Sequence, residues 1–282
     1  MKELTESIIK DFFLKTGVDE KYFSYYETEL KRCHNAFREE YPYDENEDDE
    51  ERAEDEKMEK ACIECANDYI IYYVEEREKG HSHNWANYYA LGCVSGFDEY
   101  ELIYDVLDKL EDKEEKDREL TIHAKSINKE PLFVERFKDL VEGQCDDIGK
   151  KAEEYCCAYR KCIEESKSDI YAHAYAEAVN DGSYHSDIYA SAYEQGRFHG
   201  MNDSDSSLFA KCCTDAYTSG YFLDNIEFFS NFKEDWQKEY YLNLWCQKFE
   251  DDNNRIMSDW EHQEYRKSLE CDIKCMKYLN KL

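Results

Sequence analysis

The amino-acid sequence predicts an all-α protein, a multi-helix bundle of about ten to twelve helices. Its 282 residues include only two prolines and ten glycines, so few positions interrupt a helix. Apolar residues recur at spacings of three and four and not of two, which is the period of a helix. The hydrophobic content of 41%, with 15% aromatic residues, is sufficient for a buried core.

Clear stop and start signals bound the predicted helices of the first half. Gly17 and Gly80 end the first and third helices, and Pro42 follows the second because proline cannot continue a helix. Pro131 suits the first turn of the sixth helix. These six helices cover about residues 4–16, 19–40, from within the acidic run to 79, 84–95, 98–118 and 131–142.

A short internal repeat follows a helix predicted at about 147–165. The segment SDIYAHAYAEAVNDGSYH is followed directly by SDIYASAYEQGRFHGMND, a period of 18 residues, and a third Ser-Asp pair begins at residue 204. Ser168, Ser186 and Ser204 suit N-caps. We predict three short helices stacked through Ala and Tyr; one continuous helix is the alternative, since 18 residues make five turns.

Two long helices are predicted to close the chain, at about 224–250 and 255–280, separated at Asp251-Asp252-Asn253-Asn254. Glycine and charged residues interrupt the apolar pattern near Gly143. We therefore predict an N-terminal acidic helical region at 1–143 and a C-terminal helical region with the Tyr/Ala repeat at 144–282. A single continuous domain is the alternative.

Negative charge is the outlying property of the chain. There are 67 acidic and 36 basic residues, a net charge of −31. Residues 44–56, DENEDDEERAEDE, contain ten carboxylates and one arginine. Such an excess repels nucleic acid and anionic membranes and attracts basic surfaces. Direct binding to DNA, RNA or a membrane is therefore not expected.

The sequence shows no targeting or membrane segment. The N-terminal MKELTESIIKDFF lacks the apolar stretch of a signal peptide, and nowhere do eighteen apolar residues run together. The 13 cysteines fall within helical patterns, as expected for reduced thiols in a cytosol. We predict a cytoplasmic protein, in the host cytoplasm if a phage encodes it.

Metal and cofactor motifs are weak. Cys62 and Cys65 followed by His81 and His83 superficially resemble a zinc site, but the one-residue gap between the histidines departs from the usual spacing. The two cysteines also lie on the apolar seam of the third helix. We predict no metal ligand and no cofactor.

No segment of the sequence contains a recognisable catalytic motif, so the chain is predicted not to be an enzyme. No nucleophile elbow, zinc-protease motif, phosphate loop or dinucleotide fingerprint is present. His173, His185 and His199 cluster in the repeat and could approach one another if its helices stack. An unrecognised metal-dependent enzyme at these histidines, or at His81 and His83, is one alternative.

The leading hypothesis is an acidic, non-enzymatic binding protein. It would engage a basic nucleic-acid-binding protein or nuclease complex and block or regulate its access to DNA or RNA, with carboxylates steering association and tyrosines acting as anchors. The candidate partner-binding residues are Asp48, Asp49, Glu50, Glu51, Glu54 and Asp55, with Asp112, Glu114, Glu115 and Asp117 as a second patch, and Tyr175 and Tyr193 in the repeat.

The chain's general character resembles the acidic inhibitors that phages deploy against nuclease-based defences, among them DNA mimics and some anti-CRISPR proteins. The likeness is one of composition and implies a possible nucleic-acid mimic of the anti-CRISPR or anti-restriction type, without assigning any residue. The other alternative is a helical scaffold or adaptor for protein–protein interaction, in which the Tyr/Ala repeat forms the docking groove and the acid serves solubility.

Overall fold

The computed structural model is built from helices joined by short connections. Its described part contains helices and turns and no strand, which confirms the predicted all-α class. No helix in this part is long and apolar enough to cross a membrane. The structure describes residues 4–42, 49–219, 234–264 and 266–267.

The chain divides into two compact units, residues 1–149 and 150–282. The predicted acidic region at 1–143 and repeat-containing region at 144–282 stay predictions. Within its described residues, the first unit contains seven complete α-helices, with a 3₁₀ turn before the second of them. They are α1 (Glu6–Thr16), α2 (Phe23–Glu40), α3 (Asp49–Lys79), α4 (His83–Val94), α5 (Glu99–Lys109), α6 (Lys113–Ile127) and α7 (Pro131–Glu142).

Helices α1 to α4 pack around an aromatic core in the first unit. Tyrosine can be buried here because each hydroxyl has a polar partner. Tyr26 and Tyr69 donate to the side-chain oxygens of Asn67 and Asn87, at 2.9 Å and 2.8 Å. Some of the tyrosine side chains of this unit are thus part of its core and are not accessible at the surface.

The prediction of a single helix at about 98–118 is wrong, because two helices occupy this region. Leu110 follows α5 in an extended conformation with its side chain buried. Asp112 then caps α6, its side chain accepting from the Glu115 amide at 2.8 Å. A buried leucine and an N-cap residue thus separate α5 from α6, although the apolar spacing of this region predicts one helix. Helix α6 continues to Ile127.

The second unit contains a further series of helices. The first of them, α8, begins two residues before the unit boundary. The helices are α8 (Ile148–Glu164), α9 (Asp169–Asn180), α10 (Ser186–Phe198), α11 (Asp203–Ser219) and α12 (Asp235–Asn253).

Small residues let α10 pack against both α9 and α11. Ala190 and Ala192 are fully buried on α10. A Cβ atom added at Gly196 would lie 2.9 Å from Ser206 Oγ, so the backbones of α10 and α11 approach closely there. Tyr241 of α12 belongs to the same core. The structural repeat of period 18 stays a prediction.

The predicted caps of this region are only partly correct. Ser168 caps α9 by accepting from the Tyr171 amide at 3.1 Å, as expected. Ser186 instead lies inside α10, and Ser204 inside α11. Asn202 takes the role expected of Ser204, because its amide oxygen accepts from the Asp205 amide at 2.8 Å.

The predicted helix end at Asp251 is also corrected. Helix α12 includes Asp251 and Asp252 and ends at Asn253, and Asn254 adopts the left-handed conformation with φ of 49°. A helix C-terminus favours this conformation, and asparagine tolerates it better than most residues. The parts of the two closing helices predicted at 224–233 and 268–280 lie outside the described residues.

Candidate functional site

The first predicted acidic patch lies at the start of α3. Asp48 lies outside the described residues, as do the side chains of Asp49, Glu50 and Glu51. Glu54 is exposed to solvent, and its role in partner binding stays a prediction. Asp55 is only half-exposed, since it belongs to an internal ion-pair network.

Arg38 holds this turn of α3 against α2. Its Nη1 donates to Asp55 Oδ2 at 2.6 Å and its Nη2 to Glu59 Oε1 at 2.5 Å. Glu59 is buried, so this pair satisfies a charge that water does not reach. Two carboxylates of the acidic helix therefore contribute to the fold as well as to the net charge.

The second predicted patch surrounds the N-terminus of α6. Glu114 is exposed and Glu115 is half-exposed. Asp112 caps the helix, and Asp117 forms an ion pair with Lys138 of α7. Acidic residues are stabilising at this end of a helix because of its partial positive charge. The patch is thus brought together in space, with two of its four members also engaged in local contacts.

Charge is unequally divided between the two units. Residues 1–149 contain 42 acidic and 20 basic residues, a net charge of −22, whereas residues 150–282 contain 25 and 16, a net charge of −9. Both predicted acidic patches belong to the first unit. Its charge is consequently the dominant source of any long-range electrostatic attraction.

The two predicted tyrosine anchors lie on α9 and α10, half-buried. Tyr175 stacks on Tyr171, with ring centroids 6.2 Å apart. Tyr193 stacks on Tyr189 in the same way, and its hydroxyl donates to Asp203 Oδ1 at 2.7 Å. Tyr193 therefore has an internal polar partner, while the Tyr175 ring remains partly accessible.

A buried polar cluster lies between α3, the α3–α4 connection and α6. His81 Nδ1 is 2.7 Å from Glu119 Oε2, and a carboxylate only accepts, so the neutral ring donates its Nδ1–H there. The other nitrogen of this ring, Nε2, is 3.4 Å from Glu76 Oε2. His123 lies alongside, with its ring centroid 6.0 Å from that of His81. The exposed fractions of these four side chains are 4% or less.

Neighbouring groups donate to both carboxylates of this cluster. Glu119 accepts from Arg118 Nη2 at 2.6 Å and from the Ser82 amide at 3.2 Å. Burial opposes ionisation, but the donors from Arg118, His81 and Ser82 outweigh it and lower the pKa of Glu119. Glu76 accepts from Trp85 Nε1 at 2.9 Å and pairs with Lys79 at 2.5 Å.

Burial opposes protonation of both histidines of the cluster. Burial lowers the pKa of His81, although Glu119 and Glu76 act in the opposite direction. Burial also lowers the pKa of His123, to about 4. Within the described part of the chain, His81 Nε2 and both ring nitrogens of His123 lack a hydrogen-bond partner. The cluster thus contains basic nitrogen atoms whose lone pairs are unused.

A second polar cluster joins α2 and α3. Cys33 Sγ lies 3.7 Å from Cys65 Sγ and 3.3 Å from Glu29 Oε1, and Arg32 donates twice to Glu29. Hydrogen bonding from the Cys33 thiol lowers the pKa of Cys65 to about 7. The Glu29 carboxylate of this cluster therefore has donors from both Arg32 and Cys33.

The three histidines predicted to approach one another have separate partners. His173 Nδ1 contacts the hydroxyl of Tyr155, and His185 packs edge-on against Tyr217. His199 stacks on Trp236, with ring centroids 4.1 Å apart. Among the described residues, the groups able to offer three metal ligands are Glu29, Cys33 and Cys65, and Glu76, His81 and His123.

Sequence reasoning missed Glu76, Glu119 and His123 as site residues. His81 had been considered with His83, but the structure places it with residues of α3 and α6. His123 is 42 positions further along the chain, in a helix that the sequence did not predict in full.

Comparison of the chain with family models, with curated proteins and with solved structures produced no match.

Proposed function

We propose that this chain is an acidic, non-enzymatic binding protein whose first unit engages a basic, nucleic-acid-handling protein and obstructs its access to DNA or RNA. The observation that carries the proposal is the net charge of −22 on residues 1–149. A basic nucleic-acid-binding groove attracts such a surface, and the attraction accelerates encounter. A mimic of nucleic acid of the anti-CRISPR or anti-restriction type is the specific form of this proposal.

The geometry of the two patches supports an accessible acidic surface. Glu54 and Glu114 are exposed on different helices of the first unit, and neither is a cap or a member of the ion pairs described above. Glu56 and Glu111 are exposed as well. Carboxylates that water surrounds keep a full charge and can exchange hydration for arginine or lysine contacts on a partner.

The first test is affinity capture with the full chain from nuclease-treated lysate, washed at about 0.1 M and then about 0.5 M salt. The Debye length falls from about 10 Å to roughly half that, so contacts through exposed charge weaken steeply. Retention of a basic nucleic-acid-binding protein at low salt, with displacement by duplex DNA, is the expected result.

The second test measures association kinetics with that captured partner. We expect reversal of Glu54, Glu56, Glu111 and Glu114 to Lys to slow association on the order of tenfold or more at low salt. Asp55 and Asp112 are left unchanged because they pair with Arg38 and cap α6. The matched control reverses four exposed acids of the second unit, Glu164, Glu165, Asp181 and Asp215. Equal association rates for wild type and the first variant would refute the proposal.

A helical adaptor is the second candidate, and exposed aromatic residues of the second unit favour it. Tyr184 is 93% exposed and Phe198 80% exposed. Large exposed rings are typical of protein contact sites when they lie together with other apolar groups. In this case partners would stay bound at about 0.5 M salt and be lost on substitution of Tyr175, Tyr184 or Phe198 by Ala, because screening does not weaken apolar contacts.

A further inference from the structure

The cluster of Glu76, His81 and His123 contains buried imidazole nitrogen atoms that lack a hydrogen-bond partner in the described part of the chain. His81 Nε2 faces Glu76 Oε2 at 3.4 Å, yet neither atom has a proton to offer the other when Nδ1 of His81 carries the ring hydrogen. Both nitrogens of His123 also lack a hydrogen-bond partner in the described structure. Native proteins satisfy nearly all buried polar groups, so this arrangement calls for a bound positive centre.

Glu119 orients the His81 ring toward the position of such a positive centre. Its carboxylate accepts the Nδ1–H of the ring and so turns the lone pair of Nε2 toward Glu76 and His123. Arg118 and the Ser82 amide fix the carboxylate in turn. A carboxylate behind a histidine in this manner is typical of metal-binding histidines, because it sets the tautomer and makes the ligand more basic.

The distances suit a small metal ion. A nitrogen and an oxygen ligand on one tetrahedral ion lie about 3.3 Å apart when each bond is about 2.0–2.1 Å long. The observed separation of His81 Nε2 and Glu76 Oε2 is 3.4 Å. One ring nitrogen of His123 completes a set in which all donor atoms lie within 4.8 Å of one another.

We propose that Glu76, His81 and His123 bind one divalent transition-metal ion of the zinc and iron(II) class. Two imidazoles and one carboxylate are a donor set that these ions favour over calcium or magnesium. The ion would join α6 to the end of α3 and to the α3–α4 connection, with the fourth position of a tetrahedral ion left to water or another donor. The sequence predicted no metal site, and this proposal does not depend on the proposed function.

The charges around the cluster are compatible with an added cation. Lys79 and Arg118 balance Glu76 and Glu119, so the ligands themselves start close to neutral. The surrounding unit carries a net charge of −22. A divalent ion therefore enters a region of negative potential without displacing an existing ion pair.

The thiol cluster of Glu29, Cys33 and Cys65 is the competing metal site, since zinc also binds thiolates. Its carboxylate, Glu29, accepts from Arg32 and from the Cys33 thiol, whereas His81 Nε2 and both ring nitrogens of His123 lack a hydrogen-bond partner in the described structure. We therefore assign the ion to the histidine cluster and use the thiol cluster as the control.

The test uses the full chain, stripped with chelator and then titrated with Zn²⁺ or Co²⁺. X-ray absorption of the zinc-loaded wild type should show nitrogen and oxygen at about 2.0–2.1 Å with imidazole scattering, and no sulfur at about 2.3 Å. The cobalt form should absorb without a thiolate-to-metal charge-transfer band. These spectra need no variant, so they decide the proposal even if substitutions in the core prevent folding.

Two variants then assign the ligands. His123→Phe keeps a ring among aromatic neighbours, and Glu76→Gln keeps an acceptor for Trp85 Nε1. We expect each to weaken zinc binding by about 100-fold or more, and Glu119→Gln to weaken it by about 10–100-fold through the orientation of His81. Chelator should lower the melting temperature of the wild type and leave that of His123→Phe unchanged.

Cys65→Ser is the matched control and should bind zinc like the wild type. Sulfur in the zinc coordination shell, or loss of binding in Cys65→Ser with retention in His123→Phe, would overturn the assignment. So would uptake of less than about one tenth of an equivalent by stripped, folded wild type.

Discussion

The two units differ in what they bury. The buried polar side chains of the first unit include charged or titratable groups, namely Glu29, Glu59, Glu76, His81, Glu119 and His123. Those of the second unit, within the described ranges, are uncharged: Ser186, Ser206, Thr214 and Gln237. Within the described part of the second unit, an exposed carboxylate pairs with a half-buried tyrosine where the Tyr193 hydroxyl donates to Asp203.

Because of this difference, we expect different kinds of substitution to destabilise the two units. A buried charge is tolerated only while its partner is present, so removal of one partner is strongly destabilising. A core of alanine and aromatic rings depends on volume and shape instead. The first unit should thus respond most to changes of charge and the second to changes of size.

The largest effect is expected for Glu119→Ala. It leaves His81 and the Ser82 amide without their acceptor and should cost about 3–5 kcal/mol of unfolding free energy in chelator-treated protein. Glu239→Ala in the second unit removes an exposed partner of Arg266 and should cost less than about 1 kcal/mol. Urea denaturation of both variants measures the contrast, and equal losses would remove the distinction between the units.

A size change should act next most strongly in the second unit. Gly196→Ala places a methyl group 2.9 Å from Ser206 Oγ and should cost about 1–3 kcal/mol through overpacking. Gly149→Ala is the control, since its Cβ atom meets no neighbour within 4 Å and alanine favours the helix by about 0.5–1 kcal/mol. Thermal melting compares the two, and stabilisation by both substitutions would contradict the close approach of α10 and α11.

A smaller effect is expected from a polar contact at the edge of the second unit. Tyr193→Phe removes one hydrogen bond to Asp203 and should cost about 0.5–1.5 kcal/mol. Tyr184→Phe, at a ring that is 93% exposed, should be neutral. Chemical denaturation of the pair shows whether these edge contacts add to stability, and identical midpoints would show that they do not.

The reactivity of the thiols provides a further comparison of the two units that does not require a change in the fold. The pKa of Cys65 is lowered to about 7 by the Cys33 thiol, whereas burial raises that of Cys212 to about 12. Because the thiolate is the reactive form, alkylation of Cys65 should increase as pH rises through about 7, while Cys212 stays unmodified at neutral pH. Mass spectrometry after brief iodoacetamide treatment measures both sites.

Cys33→Ala provides the control for this pH profile. Without the Cys33 donor, the half-maximal pH for alkylation of Cys65 should move upward. A profile that stays at the same pH would show that the Cys33 thiol does not set the reactivity of Cys65.

Much of the helical fold followed from the sequence, because local signals determine where a helix ends. Gly17 and Pro131 marked their helix boundaries correctly. The break after α5 was missed because Leu110 continues the apolar pattern, and its burial in an extended conformation depends on tertiary packing.

The buried cluster could not be predicted for a different reason. His81 and His123 belong to separate elements, and no sequence spacing relates them to Glu76 or Glu119. Their proximity arises only when α6 packs near the end of α3. The acidic patches, by contrast, are properties of composition and could be located from the sequence, although the internal pairing of Asp55 with Arg38 could not.

The uneven charge of the units has a consequence for how the protein responds to its solvent. A net charge of −22 within 149 residues makes the folded first unit repel itself, and expansion relieves that repulsion. Salt screens this repulsion and should therefore stabilise the folded first unit. Amide hydrogen exchange in α2 and α6 should slow as the potassium chloride concentration rises from about 0.01 M to 0.15 M. The helices of the second unit should exchange at rates that depend much less on the electrolyte.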